Sequence, residues 1–157
     1  MEIEKIIETT KKEEIDITEI TLISAEEFEE ARKIIPPGNE VWWWTRTPTA
    51  GYARSVRIVY AGGGGALDNG GASYSRGVRP LAIFNPKSSN LKIQDRFRLA
   101  GETWTVIAEG KALCDRCIDC RPFRNDWRAP DANVYEKSDV KAWLDEWAKK
   151  SRSKGRT

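Results

Sequence analysis

Two periodicities divide the chain. In SAEEFEEARKII, Phe28, Ala31, Ile34 and Ile35 fall on one helical face, and Ser24 with Glu27 forms a capping box, so a helix starts at that serine. Pro36, Pro37 and Gly38 stop it, because proline has no N–H to donate and its ring obstructs the preceding turn. In SDVKAWLDEWAKK, Val140, Trp143, Leu144 and Trp147 recur at i, i+3, i+4 and i+7 behind Ser138 as a cap. This is the strongest local signal in the chain, and it assigns both indoles to the core.

Outside these helices the period shortens to two. EITLIS (Glu19 to Ser24) reads as a short strand. Val56, Ile58 and Tyr60 alternate with Ser55, Arg57 and Val59, the pattern of a strand with one buried face, and Val78, Leu81 and Ile83 mark another. In FRLAGETWTVIAEGKALC two apolar runs flank Ala100, Gly101 and Glu102 as a hairpin does, and a second turn at Glu109, Gly110 and Lys111 leads into ALC. AGGGGALDNGGASY is rich in glycine, whose ordering costs the most backbone entropy, so it reads as a long exposed loop. Trp42, Trp43 and Trp44 are either an aromatic platform or core anchors in a strand covered on both faces. The second reading is favoured, because large rings beside strand neighbours fill cores. In the platform reading Trp43, pointing opposite to its neighbours, is the exposed one.

With 157 residues, the length fits one domain, and seven Trp are far above average usage. We divide the chain into an N-terminal arm (1–18), one domain (19–148) and a basic flexible tail (149–157). A net charge of +2 sets up no strong field for an anionic membrane or nucleic acid, and no apolar run is long enough to span a bilayer. The tail cations Lys149, Lys150, Arg152, Lys154 and Arg156 read as a solvated terminus rather than a nucleic-acid arm. The charged start MEIEKIIETTKKEEID is unlike a signal peptide, which points to a cytoplasmic or virion-associated protein.

Candidate chemistry narrows the field further. The absence of His removes Ser-His, Cys-His and His-metal mechanisms. The glycine run lacks the Lys-Ser/Thr ending of a P-loop. Asp126, Asp131, Glu136 and Asp139 read as caps and dipole partners near a helix start. Cys114, Cys117 and Cys120 lie in one CDRCIDC run without a fourth Cys or a His to close a zinc site, and a calcium site needs more oxygen ligands than Asp68 provides. The expectation is a non-catalytic protein with neither metal nor cofactor.

Tyr52, Arg54, Arg57, Tyr60, Asp68, Asn69, Tyr74 and Arg76 crowd into the glycine-rich centre, a mixture typical of recognition surfaces because Tyr and Arg give large contact area with a polar end. They are the candidate ligand-binding residues. LISAEEF, WWWTRTP, SVRIVYAGGG and GVRPLAIF, followed by GETWTVIAEGKALC and YEKSDVKAWLDEW, resemble a tryptophan-rich domain of unknown function found in Firmicutes and their prophages. That domain is similar in turn to the variable proteins of diversity-generating retroelements. The resemblance implies an α+β, C-type-lectin-like fold of the formylglycine-generating-enzyme type, with short antiparallel strands, long loops and two helices. It makes Trp43, Trp44, Arg46, Gly77, Val78, Arg79 and Pro80 scaffold, and Tyr52 to Tyr60 and Asp68 to Arg76 displayed surface. The displayed-loop half (19–84) here precedes the hairpin-helix half (91–148), the reverse of the commoner order, which implies circular permutation or a homodimer that swaps halves. The functional expectation is a non-catalytic module of phage origin that binds a protein or glycan. The alternative is a phage-encoded intracellular inhibitor of a bacterial enzyme or defence complex.

Overall fold

The computed structural model describes residues 6–7, 15–62 and 65–154. Strands dominate: β1 (Ile6–Ile7), β2 (Ile17–Thr21), β3 (Trp42–Pro48), β4 (Ser55–Tyr60), β5 (Ala66–Gly71), β6 (Ser75–Val78), β7 (Leu81–Phe84), β8 (Arg96–Leu99), β9 (Glu102–Ala108), β10 (Lys111–Cys114) and β11 (Asp119–Pro122). The helices are α1 (Ala25–Ala31) and α2 (Asp139–Lys154). One sheet has six strands in the order β1-β8-β9-β10-β7-β2, and the other has five in the order β11-β6-β3-β4-β5. The expected α+β, C-type-lectin-like fold is therefore corrected to a sheet-rich fold of two sheets with few helices.

Two local misreadings explain the difference. The glycine-rich stretch read as loop contains β5, an edge strand paired residue for residue with β4 from Ser55↔Gly71 to Tyr60↔Ala66. The open ladder edge of β4 recruits this backbone despite its poor strand propensity, because pairing outweighs propensity. Gly70 also suits the contact, since a Cβ there would lie 3.0 Å from the Ile58 side chain. Second, GVRPLAIF is two strands. β6 belongs to the five-stranded sheet and β7 to the six-stranded one, with Arg79 and Pro80 at the corner. The segment from β10 to β11 makes the same crossing beside it, since β10 pairs with β7 and β11 with β6.

Three apolar clusters fill the fold. Trp44, Val56, Ile58 and Val78 on one face of the five-stranded sheet pack against Phe123, Tyr135, Val140 and Leu144. Trp43 and Val59 on its other face meet Phe28 of α1 and Leu81, Ile107 and Leu113 of the six-stranded sheet. The outer face of that second sheet buries Phe84, Phe97, Trp104 and Val106. Trp43 and Trp44 are thus buried, as the favoured core reading expects, because both faces of β3 are covered. In the β8–β9 hairpin, Ala100 and Gly101 have φ of 55° and 76°, the paired left-handed conformations of the turn type that matches strand twist.

α2 follows its predicted stripe but continues to Lys154, past the expected start of the tail. Within the stripe the assignments shift. Val140 and Leu144 are fully buried, whereas Trp143 and Trp147 are half-buried at the margin of the cluster. Leu144→Ala is accordingly expected to cost about 3 kcal/mol and Trp143→Ala roughly half that, as measured by denaturant unfolding. Equal losses would place both residues in the same environment.

α1 carries the predicted capping box, with Ser24 Oγ accepting from the Glu27 N–H and Glu27 accepting from the Ser24 N–H. It ends at Ala31, before the expected stop at the prolines. Glu27 also binds Arg46 of β3 at 2.7 Å and Lys111 of β10 at 2.5 Å, so one carboxylate ties the helix to both sheets. Burial pushes the Glu27 carboxyl up, but Lys111, the Ser24 N–H and Arg46 outweigh it and lower the pKa from 4.5 to about 2. A pKa depressed in the folded state contributes stability above the unfolded value, and that stability is lost as pH falls toward the folded value. Glu27→Gln should lose roughly 2–3 kcal/mol at neutral pH, with the gap from the parent closing between about pH 4.5 and 2. Chemical denaturation across that range would show parallel curves if Glu27 were not the titrating group.

Candidate functional site

Trp42 is the first residue of β3 and stacks on Tyr60, the last of β4, with ring centroids 4.6 Å apart. The Arg76 guanidinium lies 5.3 Å from the centroid of the Trp42 ring and 5.4 Å from that of Tyr74. Its buried Nε has no hydrogen-bond partner, while Tyr74 is 62% exposed. Arg76 stands directly opposite Arg121 in the β6–β11 ladder, and cross-strand partners project to the same side. Two cations so placed repel each other. Arg121 is neutralised by Asp119 at 2.9 Å and stacks 4.5 Å over Trp143, whereas Arg76 lies against two rings and forms no ion pair among the described residues.

The other predicted residues fall elsewhere. Tyr52 is 69% exposed on the turn between β3 and β4, where Asn133 donates to its carbonyl. Nearby Arg54 lies 5.4 Å over Trp127, which Arg128 also approaches, giving a second arginine–tryptophan contact. Asp68 and Asn69, expected on a loop, belong to β5. Asn69 accepts from Arg57 at 2.7 Å and from Thr49, and the Asp68 carboxylate accepts the Asn69 N–H. Arg57 and Asn69 are therefore engaged with each other across the β4–β5 ladder. The structure thus brings together Tyr60, Tyr74 and Arg76, and separately Tyr52 and Arg54. Sequence reasoning did not assign Trp42, Arg121, Trp127 or Trp143 to this surface. The tryptophans' only signals were a strand end, a polar segment and membership of the helix stripe assigned to the core, and Arg121 had none.

Arg79 is 1% exposed and acts as scaffold. Its Nε donates to the Cys114 carbonyl at 2.7 Å, and its Nη2 donates to the carbonyls of Pro36 at 2.8 Å and Asp115 at 3.2 Å. The guanidinium also lies 5.1 Å over Trp43. Burial pulls its pKa below the ordinary arginine value. Burial likewise pushes the Cys114 and Cys117 thiols up to about 12, which makes them neutral packing groups. Cys114 packs in the outer cluster, Cys117 in the central one, and Cys120 is exposed. Among the described residues, no group of three or more Cys, Asp or Glu is placed to hold a metal. No helix among them is long and apolar enough to cross a membrane.

Residues 4–86, just over half of the chain, match the sequence profile of a family described as a domain of unknown function (DUF6273). The chain belongs to that family. No curated protein and no solved structure matches it. The DUF6273 match spans β1 to β7, and so includes α1, Trp42, Tyr60, Tyr74, Arg76 and the Arg79 corner, but excludes Trp127 and Trp143.

Arg79→Ala should destabilise the fold by about 3–5 kcal/mol, because truncation leaves three carbonyl acceptors unpaired in a buried corner. A thermal melt close to that of the parent would contradict the scaffold role.

Proposed function

We propose that this protein is a non-catalytic binding module that recognises a protein or a glycan through the arginines and aromatic rings around Trp42 and Trp127. One observation carries the reading. Arg76 is held between Trp42 and Tyr74, yet its Nε donor is unpaired. A side chain fixed in this way loses little conformational freedom on binding, so little of the interaction energy is spent on ordering it. Tyr, Trp and Arg also dominate interface hot spots. The flat faces of Tyr60, Tyr74 and Tyr52 offer stacking area to a peptide plane or a sugar ring alike. The resemblance to the tryptophan-rich prophage domain supports this reading through its displayed middle segment alone.

Simultaneous Tyr52→Ala, Arg54→Ala, Tyr74→Ala and Arg76→Ala tests it, because all four side chains lie outside the three buried clusters. Glycan-array screening and affinity capture with the parent identify the ligand, and titration calorimetry compares the two proteins. The fourfold variant should melt close to the parent and bind more than tenfold more weakly, a loss of about 1.4 kcal/mol or more. Parental affinity, or an unfolded variant, would overturn the proposal.

A further inference from the structure

A cleft of about 300 Å³ lies on the other face of the five-stranded sheet, away from Trp42. Its walls are apolar and come from Phe28 of α1, the Pro36–Pro37 step, and Val59 of β4. Trp43 and Arg79 line it from beneath, and Arg32 and Lys33 stand among its remaining lining residues. The lining holds three cations and no carboxylate, although Glu29 lies 3.6 Å from Arg32 on the same helical turn.

Two donors in this lining are unusual. Arg79 Nη1 and Trp43 Nε1 are both buried, and neither has a hydrogen-bond partner. A buried N–H without an acceptor costs free energy, and nearly all such groups in folded proteins are paired. Arg79 carries a full charge as well. Its other two nitrogens donate only to neutral carbonyls, so no carboxylate in hydrogen-bond contact compensates the cation.

We propose that this cleft binds a small organic anion, a compact apolar or aromatic body bearing a carboxylate or phosphate, with the anionic oxygens accepting from Arg79 Nη1 and Trp43 Nε1. The apolar body lies against Phe28 and Val59, and Arg32 and Lys33 draw the anion in. Two unpaired donors on neighbouring lining residues can serve the two oxygens of a carboxylate, and a phosphate ester supplies the same pair. Both donors lie beneath the cleft surface, so the ligand reaches them when the rim moves outward. The part of that rim from Arg32 to Ile35 is turn and bend beyond the end of α1 at Ala31, held by one backbone bond from Ile34 to Ala31, while Pro36 behind it stays tied to Arg79 Nη2 at 2.8 Å. The site is independent of the Trp42 surface, and neither reading requires the other.

The test uses the full chain and follows the Trp43 indole N–H by nuclear magnetic resonance. The signal is assigned from its loss in Trp43→Phe, or by through-bond assignment if that variant does not fold. Benzoate and benzyl phosphate probe the two anion sources, and benzyl alcohol serves as the neutral control, all at constant ionic strength. Saturable movement of the Trp43 signal with either anion is expected, with benzyl alcohol at least tenfold weaker, about 1.4 kcal/mol. A response to benzoate alone identifies a carboxylic acid as the ligand class, and a response to benzyl phosphate alone a phosphate ester. The Arg32→Glu, Lys33→Glu double variant reverses charge at the exposed rim without touching the core, and should weaken the anion by more than tenfold. The proposal is overturned if neither anion moves the signal, if benzyl alcohol moves it equally, or if the double variant binds as the parent does.

Discussion

The corner at Arg79 and Pro80 holds the two sheets in one structure. Proline fixes its own backbone and restricts the residue before it to extended conformations, so the chain leaves β6 and enters β7 with little freedom in direction. The Arg79 guanidinium then reaches out of that corner to the carbonyls of Cys114, Asp115 and Pro36, joining the neighbouring crossover and the segment that follows α1. Backbone bonds on either side complete the joint, with Cys114 N–H donating to Pro80 and Ile118 N–H to Val78, each at 2.9 Å. The two crossovers run side by side as a bent ribbon. At their contact Gly77 allows close approach, since a Cβ there would come within 2.5 Å of Cys117 Sγ.

With the corner in place, the rest of the architecture distributes three consecutive indoles among three environments. Trp44 is buried against Phe123, Trp43 is buried against Phe28 on the opposite face, and Trp42 emerges at the strand end against Tyr60. Strand alternation alone places Trp43 opposite the other two. What separates Trp42 from Trp44 is the position of the covering layer. Phe123 and α2 reach over Trp44 and stop short, which leaves Trp42 to stack with Tyr60 and with Arg76. A core built for stability therefore passes within one strand into a surface of exposed rings and cations.

Much of this was legible in the residues themselves. The capping box at Ser24 and Glu27 and the turn at Ala100 and Gly101 depend on interactions within a few residues and form as read; the strand SVRIVY and the helix α2 form too, but their burial differs from the reading, with Val59 buried, Tyr60 exposed and Trp143 and Trp147 half-buried. What was not legible depends on distant partners. Nothing in ALDNGG marks it as a strand, because its pairing comes from the open edge of β4. Likewise, nothing in GVRPLAIF announces a change of sheet, because the corner is stabilised by residues as far away as Pro36 and Asp115. Of the predicted binding residues, Arg57 and Asn69 engage each other across a ladder that the loop reading did not contain. The pairing of Arg76 with Trp42 needed the parallel contact of β3 and β6, which local pattern cannot supply.

Hydrogen exchange measured amide by amide addresses the dependence of the fold on this corner most directly. If the corner holds the sheets together, the Cys114 and Ile118 amides that donate to Pro80 and Val78 exchange only through global unfolding, at the rate of the best-protected amides of β3 and β9. Exchange of those two amides at rates typical of exposed turns, while β3 and β9 remain protected, would contradict the account.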